Sequence, residues 1–339
     1  MSTDKKVRVG VIGAGGIARN MHLPSLAEIE CAEVVAICDL VVEKATKLAE
    51  QYGVPNTYVL HNEMLANEEL DAVFVLAEPD RLFRPVIDCL RAGVHVFMEK
   101  PPGLTVTQAG SLLRAARSAD RILQVGFNRR FIPVVKEVVE RMRAHTPITQ
   151  VEGRFIKHGT AAFYGGGGSA FECDTIHAID LVRWVAGGEP VAAAMVEAQH
   201  EDVLPNSWNA VVRFDNDVTG IVKANYQTGA RVHTLEIHGP GGSAFINLGF
   251  GDASCTADLL LYGGEGTFSL SSKGAGKQDR ITIDGKELAG SDEMYKFYGF
   301  LQEDAEFLAC IQEGRRPMTD IEEGLRALEF IDLMRSNRI

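Results

Sequence analysis

Val7-Arg8-Val9-Gly10-Val11-Ile12-Gly13-Ala14-Gly15-Gly16-Ile17-Ala18 is the stretch that decides how this chain folds. Its first half is a β-branched apolar run of strand length. Its second half, Gly13-x-Gly15-x-x-Ala18, leaves the strand and opens a helix. Gly13 permits a tight turn, Gly15 lets a pyrophosphate come against the backbone, and Ala18 lets the helix pack close to the sheet. The N–H groups at the helix start, around Gly16 and Ile17, would then hold the diphosphate. Plain strand-to-helix connections use the same glycines, so the turn alone is weak evidence. Asp39 strengthens it, because it ends the second strand where an acid accepts hydrogen bonds from the adenosine ribose. That acid repels a 2′-phosphate and is followed by Leu40 rather than an arginine, so NAD is expected over NADP. Arg19 and Lys44 keep NADP open.

Around this turn, Val34 to Cys38, Ala72 to Leu76, Val94 to Met98 and Ile122 to Val125 also read as strands, separated by apolar positions at helical spacing. The alternation predicts a parallel sheet with helices on both faces. Thr105-Val106-Thr107-Gln108 is a capping box that starts a helix with Ala109, Leu112, Leu113 and Ala116 on one face. After a helix over Val134 to Met142 the pattern changes. From Gln150 to about Ile283 strand-like runs are punctuated by turns such as Phe214-Asp215-Asn216-Asp217, which predicts an antiparallel sheet. One helix, roughly Asp174 to Ala186, interrupts it, and two more, Ser291 to Glu313 and Asp320 to Ser336, close the chain. The expected organisation is an α/β domain over 1–126 and an α+β domain over 127–339, whose terminal helices can pack back on the first.

The 339 residues suit two domains, and no segment approaches the roughly 18 uninterrupted apolar residues of a membrane span. The start of the chain leaves no room for a secretory leader, so a cytoplasmic protein is expected. Six cysteines without a CxxC pair suggest neither a disulfide framework nor a zinc site. A formal charge of −12 argues against a nucleic-acid surface but allows a locally basic pocket.

Two places carry chemistry. Glu99-Lys100-Pro101-Pro102 ends the fifth strand, the position where ligands meet open parallel sheets. A lysine there can stabilise the negative charge that grows on a hydroxyl as hydride leaves, a solvated surface lysine being the alternative. The apolar helix near Cys173 to Val185 carries Asp174, His177 and Asp180. At that spacing Asp174 and His177 are expected to converge, with Asp180 orienting an imidazole able to accept a proton. A satisfied core histidine is the alternative. The glycines Gly165 to Gly168 read equally as a linker or as a close-approach loop. Lys157, His158, Tyr164, Tyr226 and His233 are candidate substrate contacts by their place in the second domain.

Taken in order, these features resemble the Gfo/Idh/MocA family. The resemblance also rests on Gly126-Phe127-Asn128-Arg129-Arg130-Phe131, on Trp184, on Glu236-Ile237-His238-Gly239 and on Gly314-Arg315-Arg316-Pro317. It implies a Rossmann domain joined to an open, mainly antiparallel sheet that serves as the interface of a homo-oligomer, dimer or tetramer. It implies Lys100, Asp174 and His177 as the catalytic set, Asn128 and Arg129 near the nicotinamide or substrate, and Ala77, Pro79 and Glu99 beside the cofactor. The implied activity is hydride transfer to or from a ring hydroxyl of a sugar, inositol or polyol. A redox-neutral glycosidase or epimerase using NAD, or a non-catalytic ligand sensor, would share these residues. Two departures stand out: Cys173 holds the place where relatives commonly carry the acid, and Glu78 adds a carboxylate near the cofactor path, which Arg81 is expected to neutralise.

Overall fold

A computed structural model of the chain describes residues 6–163, 168–250, 254–262 and 278–339. It forms two compact units, neither continuous in sequence. One comprises Met1–Asn128, Ala162–Ile176 and Glu293–Glu329; the other comprises Arg129–Ala161, His177–Asp292 and Phe330–Ile339.

The first unit is built on six parallel strands: β1 (Val7–Ile12), β2 (Ala32–Cys38), β3 (Asn56–Tyr58), β4 (Ala72–Val75), β5 (His95–Met98) and β6 (Leu123–Val125). Their spatial order is β3-β2-β1-β4-β5-β6, so the direction of winding reverses at β1, between β2 and β4. Ligands of doubly wound sheets bind at that reversal, beyond the carboxyl ends of the strands. Val9, Val11, Phe74, Val96 and Phe97 have no exposed surface, as expected of strands covered on both faces. The five expected strands are present. Edge strand β3 escaped because Asn56-Thr57-Tyr58 is too short and polar to show a period. Thr105 caps the helix Val106–Ala119 by accepting the Gln108 N–H at 3.2 Å, and the Gln108 side chain reaches back to the Leu104 N–H. The helix expected over Ser291 to Glu313 is two, Met294–Phe297 and Phe300–Glu313, parted at Gly299, whose φ is +90°.

The short strands β8 (Ala162–Phe163) and β9 (Gly168–Ser169) pair within the first unit. The second unit carries β7 (Gln150–His158), β10 (Pro190–Ala198), β11 (Ser207–Phe214), β12 (Thr219–Asn225), β13 (Gln227–Gly239), β14 (Gly242–Leu248), β15 (Cys255–Tyr262) and β16 (Gln278–Asp284). Their order is β10-β11-β12-β7-β13-β14-β15-β16. All neighbours are antiparallel except β12 and β7. The exception arises because β12 and β13, consecutive in sequence, lie on opposite sides of β7.

One face of this sheet is covered by the helices Pro133–His145 and Ile176–Ala186. Along β11, buried Trp208, Ala210, Val212 and Phe214 alternate with exposed Asn209, Val211 and Arg213. The helix Ile176–Ala186 comes down onto two strand glycines. A Cβ on Gly153 would stand 2.8 Å from Val182, and one on Gly220 would stand 3.2 Å from Val182 and 2.7 Å from the Phe214 ring. The opposite face sets Glu152 directly across from Glu236, with Arg154 bonded to both and Lys223 to Glu152, beside exposed Val211 and Phe245. Among the described residues, no helix is long and apolar enough to cross a membrane.

Candidate active site

In the glycine turn, Gly13 has a φ of +101° and an added Cβ would fall 2.5 Å from the Leu76 carbonyl oxygen, so only glycine fits. Around Gly15 and Gly16 a Cβ would meet nothing within 4 Å, which leaves an open cradle above the turn. The helix that follows contains a π-helical turn, Ala18–His22, and continues as Leu23–Glu28. The N–H of Arg19 is taken by Gly15 O, so the N–H groups of Gly16, Ile17 and Ala18 occupy the first turn, where a helix presents donors to an anion. Asp39 closes the far side: Oδ2 accepts the Ala14 N–H at 2.7 Å and Oδ1 accepts the Val41 N–H at 2.8 Å. A glycine cradle, a helix start and a fixed carboxylate are what a dinucleotide requires, and the residues present fit one.

Ala77 follows the Leu76 carbonyl that abuts Gly13, and Pro79 is the buried first residue of the helix Pro79–Arg91. Glu78 is the exposed N-cap of that helix. Arg81 does not neutralise it through its side chain: the guanidinium lies 3.9 Å from Asp80, and only the Arg81 N–H meets the Glu78 carbonyl.

At the end of β5, Lys100 donates from Nζ to the carbonyl oxygen of Cys173 at 2.9 Å, which brings the lysine to the peptide that precedes Asp174. The Asp174 expectation needs correction in its geometry. Asp174 is not on a helix with His177: it ends a short helix, Ala170–Cys173, with φ −135° and ψ −47°, and the next helix starts at Ile176. Three-residue spacing therefore does not set their faces. Glu99 is buried and turned inward. Its Oε2 accepts the Lys100 backbone N–H at 3.1 Å and its Oε1 lies 3.2 Å from His22 Nε2. Burial raises the Glu99 pKa, but the His22 hydrogen bond and charge and the Lys100 charge outweigh it and hold it below the usual range. His22 Nδ1 sits 2.9 Å from Asp304. Burial pulls the His22 imidazolium down, yet Asp304 and Glu99 together raise it to about 10. The Asn128 amide donates to the Tyr298 carbonyl at 2.8 Å.

In the second unit, His177 is 3 % exposed and its Nε2 lies 2.9 Å from Arg129 Nη1. Arginine cannot accept, so Nε2 is the acceptor and the ring proton is on Nδ1. Asp180, expected to orient that ring, is instead gripped by Arg130 through two bonds of 2.9 and 2.6 Å, both partners 1 % exposed. Near Arg129, the His233 ring stacks on Phe155 at 4.0 Å and on Phe250 at 5.1 Å, with the Arg231 guanidinium 3.7 Å from the Phe250 centroid. Lys157 lies 4.7 Å from the centre of the Tyr226 ring, and His158 ends β7 exposed. Tyr164 and Gly165 to Gly167 lie outside the described residues.

The His22–Asp304 pair and the Arg130–Asp180 pair were not found from sequence. A signal existed for the first: Glu303 and Asp304 sit on the stripe of Phe300, Phe307 and Leu308, where a buried acid requires a partner.

Residues 7–127 match the family model for the oxidoreductase family with an NAD-binding Rossmann fold, and residues 143–245 match the GFO/IDH/MocA C-terminal domain. The myo-inositol 2-dehydrogenase of Thermotoga maritima is 32% identical over 187 residues, 54% of this chain and 56% of that one. The D-glucoside 3-dehydrogenase of Escherichia coli is 33% identical over 141 residues, 41% of this chain and 40% of that one. The chain thus spans about half the length of these curated relatives. A dehydrogenase structure from Chromobacterium violaceum superposes with a TM-score of 0.85 at 23% identity, covering 98% of this chain and 96% of that one, which shows the shared fold. With both halves matched in order, the chain belongs to the Gfo/Idh/MocA family.

Proposed function

We propose that this protein is an NAD-dependent oxidoreductase acting on a ring hydroxyl, or the matching ketone, of a sugar, inositol or related polyol. The observation that carries the reading is Lys100: an ammonium at the carboxyl end of β5, held at the Cys173 carbonyl, in the same unit as the open glycine cradle. The relatives named as inositol and glucoside dehydrogenases support the substrate class. Bound nicotinamide would supply the hydride acceptor or donor. Lys100 would exchange its carbonyl partner for the reacting oxygen and stabilise the charge that develops there. His177 would take the hydroxyl proton on Nε2 once Arg129 releases it, and Asp174 would join this catalytic set beside Lys100. Arg129, Lys157 and Tyr164 would contact the substrate, with Asn128 near the cofactor.

The anionic Asp39, followed by exposed Leu40, favours NAD over NADP, and Arg19 is turned to Asn20. Six free cysteines fit a reducing cytoplasm. The exposed Val211 and Phe245 face fits a second copy of the chain, which light scattering would register as a dimer or tetramer. The deciding experiment is a panel of sugars, inositols and amino sugars with NAD and NADP, following reduced cofactor. Lys100→Ala should lower kcat by about 100- to 10,000-fold with cofactor affinity nearly intact. If neither dinucleotide binds, the reading fails; equal loss of turnover and cofactor affinity would make Lys100 a binding residue only.

A further inference from the structure

We infer that His22 is a positioning residue for Lys100: an imidazolium at neutral pH, clamped between Asp304 and Glu99, that fixes the end of β5 from which the lysine projects. The inference rests on the reading of Lys100 as the charge-stabilising group.

The geometry is a short chain of contacts inside the first unit. Asp304 Oδ1 and Oδ2 lie 2.9 and 3.1 Å from His22 Nδ1, and Glu99 Oε1 lies 3.2 Å from His22 Nε2. The other Glu99 oxygen accepts the Lys100 N–H at 3.1 Å. Burial pushes the Asp304 carboxyl up to about 6 against the pull of His22, and Glu99 is held below its usual range, so above about pH 6 both acids are ionised. An ionised carboxylate only accepts, so a neutral imidazole would then point one lone pair at an oxygen lone pair; protonation of both nitrogens satisfies both ends. The surroundings enforce this. His22 has no exposed surface, and the Phe74, Phe97 and Phe300 rings lie 5.9, 5.1 and 5.5 Å from it, excluding water that could substitute for either carboxylate.

The charged groups facing His22 are Glu99 from the end of β5 and Glu303 and Asp304 from the helix Phe300–Glu313, with Lys100 acting on Glu99 from the far side; Ser25, one turn along from His22, donates its hydroxyl to the Met21 carbonyl. His22, Glu303 and Asp304 lie close enough to share a cation, but a ring protonated on both nitrogens has no lone pair for a metal. His22 closes the π-helical turn Ala18–His22 in the helix that follows the glycine turn. The glycine turn and the active lysine are thereby joined through one side chain. With His22 in place, one Glu99 oxygen serves the imidazolium and the other the Lys100 backbone. Without it, a buried carboxylate loses its counter-ion and the Lys100 backbone loses a fixed acceptor.

Three measurements on the full chain test this. In imidazole ¹⁵N spectra of the wild type with NAD, the His22 signals, assigned by their loss in His22→Gln, should show two protonated nitrogens from pH 6 to pH 8 without titrating. A neutral tautomer in that range overturns the proposal, whatever the variant does. In reductive methylation followed by peptide mass spectrometry, His22→Gln or Asp304→Asn should raise the labelling of Lys100 severalfold relative to Lys44. An unchanged ratio in a folded variant overturns it. In kinetics, either variant should lower kcat about 10- to 100-fold, the usual size when a supporting partner of an active group is lost, with KM nearly unchanged. A rise in KM alone, or wild-type kcat, overturns it. The spectra and the labelling need no turnover, so a failure of the polyol reading stays distinguishable from a failure of this one.

Discussion

Arg129 Nη1 stands 2.9 Å from His177 Nε2, and the direction of that bond fixes the tautomer of the imidazole. The nitrogen proposed to receive the substrate proton is therefore already shaped as an acceptor, with a guanidinium holding its place. Arg129→Gln should lower kcat/KM by about 10- to 100-fold, matching the roughly 1.5–3 kcal/mol of a hydrogen bond to a charged group. Cofactor affinity should stay nearly constant. Steady-state kinetics with titration of NAD separates the two, and wild-type kcat/KM would remove Arg129 from the proposed mechanism.

The two ends of the glycine turn should respond differently to one methyl group. Gly13→Ala meets both a positive φ and the Leu76 carbonyl, so it should destabilise the fold by at least about 1–3 kcal/mol. Gly16→Ala meets open space and should melt with the wild type, yet bind dinucleotide more weakly because its methyl enters the cradle. Melting curves with and without NAD distinguish the pair. Equal NAD affinity for Gly16→Ala and wild type would place the diphosphate elsewhere.

Arg130 and Asp180 form a buried bidentate pair whose separation is costly. Asp180→Ala leaves a guanidinium uncompensated in the interior and should reduce unfolding free energy by about 3–5 kcal/mol. The double variant Arg130→Met with Asp180→Leu, which removes both charges, should recover much of that loss. Urea titrations of the three proteins give the comparison.

Stability should also depend on pH through His22. Its folded pKa is raised from 6.5 to about 10, so its contribution is complete below pH 6.5 and is lost as pH rises toward 10. Over that window the unfolding free energy should fall by up to about 1.4 kcal/mol per pH unit from this group. Urea midpoints from pH 6.5 to 9 should therefore slope more steeply downward in the wild type than in His22→Gln. Parallel slopes would mean that the ring is neutral in the folded state.

The first unit was legible because its strands are covered on both faces and read as unbroken apolar runs, and because Gly13 and Asp39 signal backbone needs that few other residues meet. The second sheet was legible in its alternation and turns, but not in its order: nothing local in β12 reveals that β7 lies between it and β13. Around the candidate site, the position of Lys100 just beyond a strand end was legible, and the structure has it there after β5. The partners of His177 and Asp180 were not, because two consecutive arginines, Arg129 and Arg130, divide them: the first meets the imidazole and the second the carboxylate. The break at Asp174 was hidden by apolar residues on both sides of it, which continue the helical spacing through a backbone that does not.

Gly153 and Gly220 give the second unit a mortise into which Val182 fits. His177 lies in the first turn of the helix that carries this valine, so its location is set less by any bond the imidazole makes than by two side chains that strands β7 and β12 omit. A methyl added at either strand would lift the whole helix, moving a chemical group by altering a surface that never touches it.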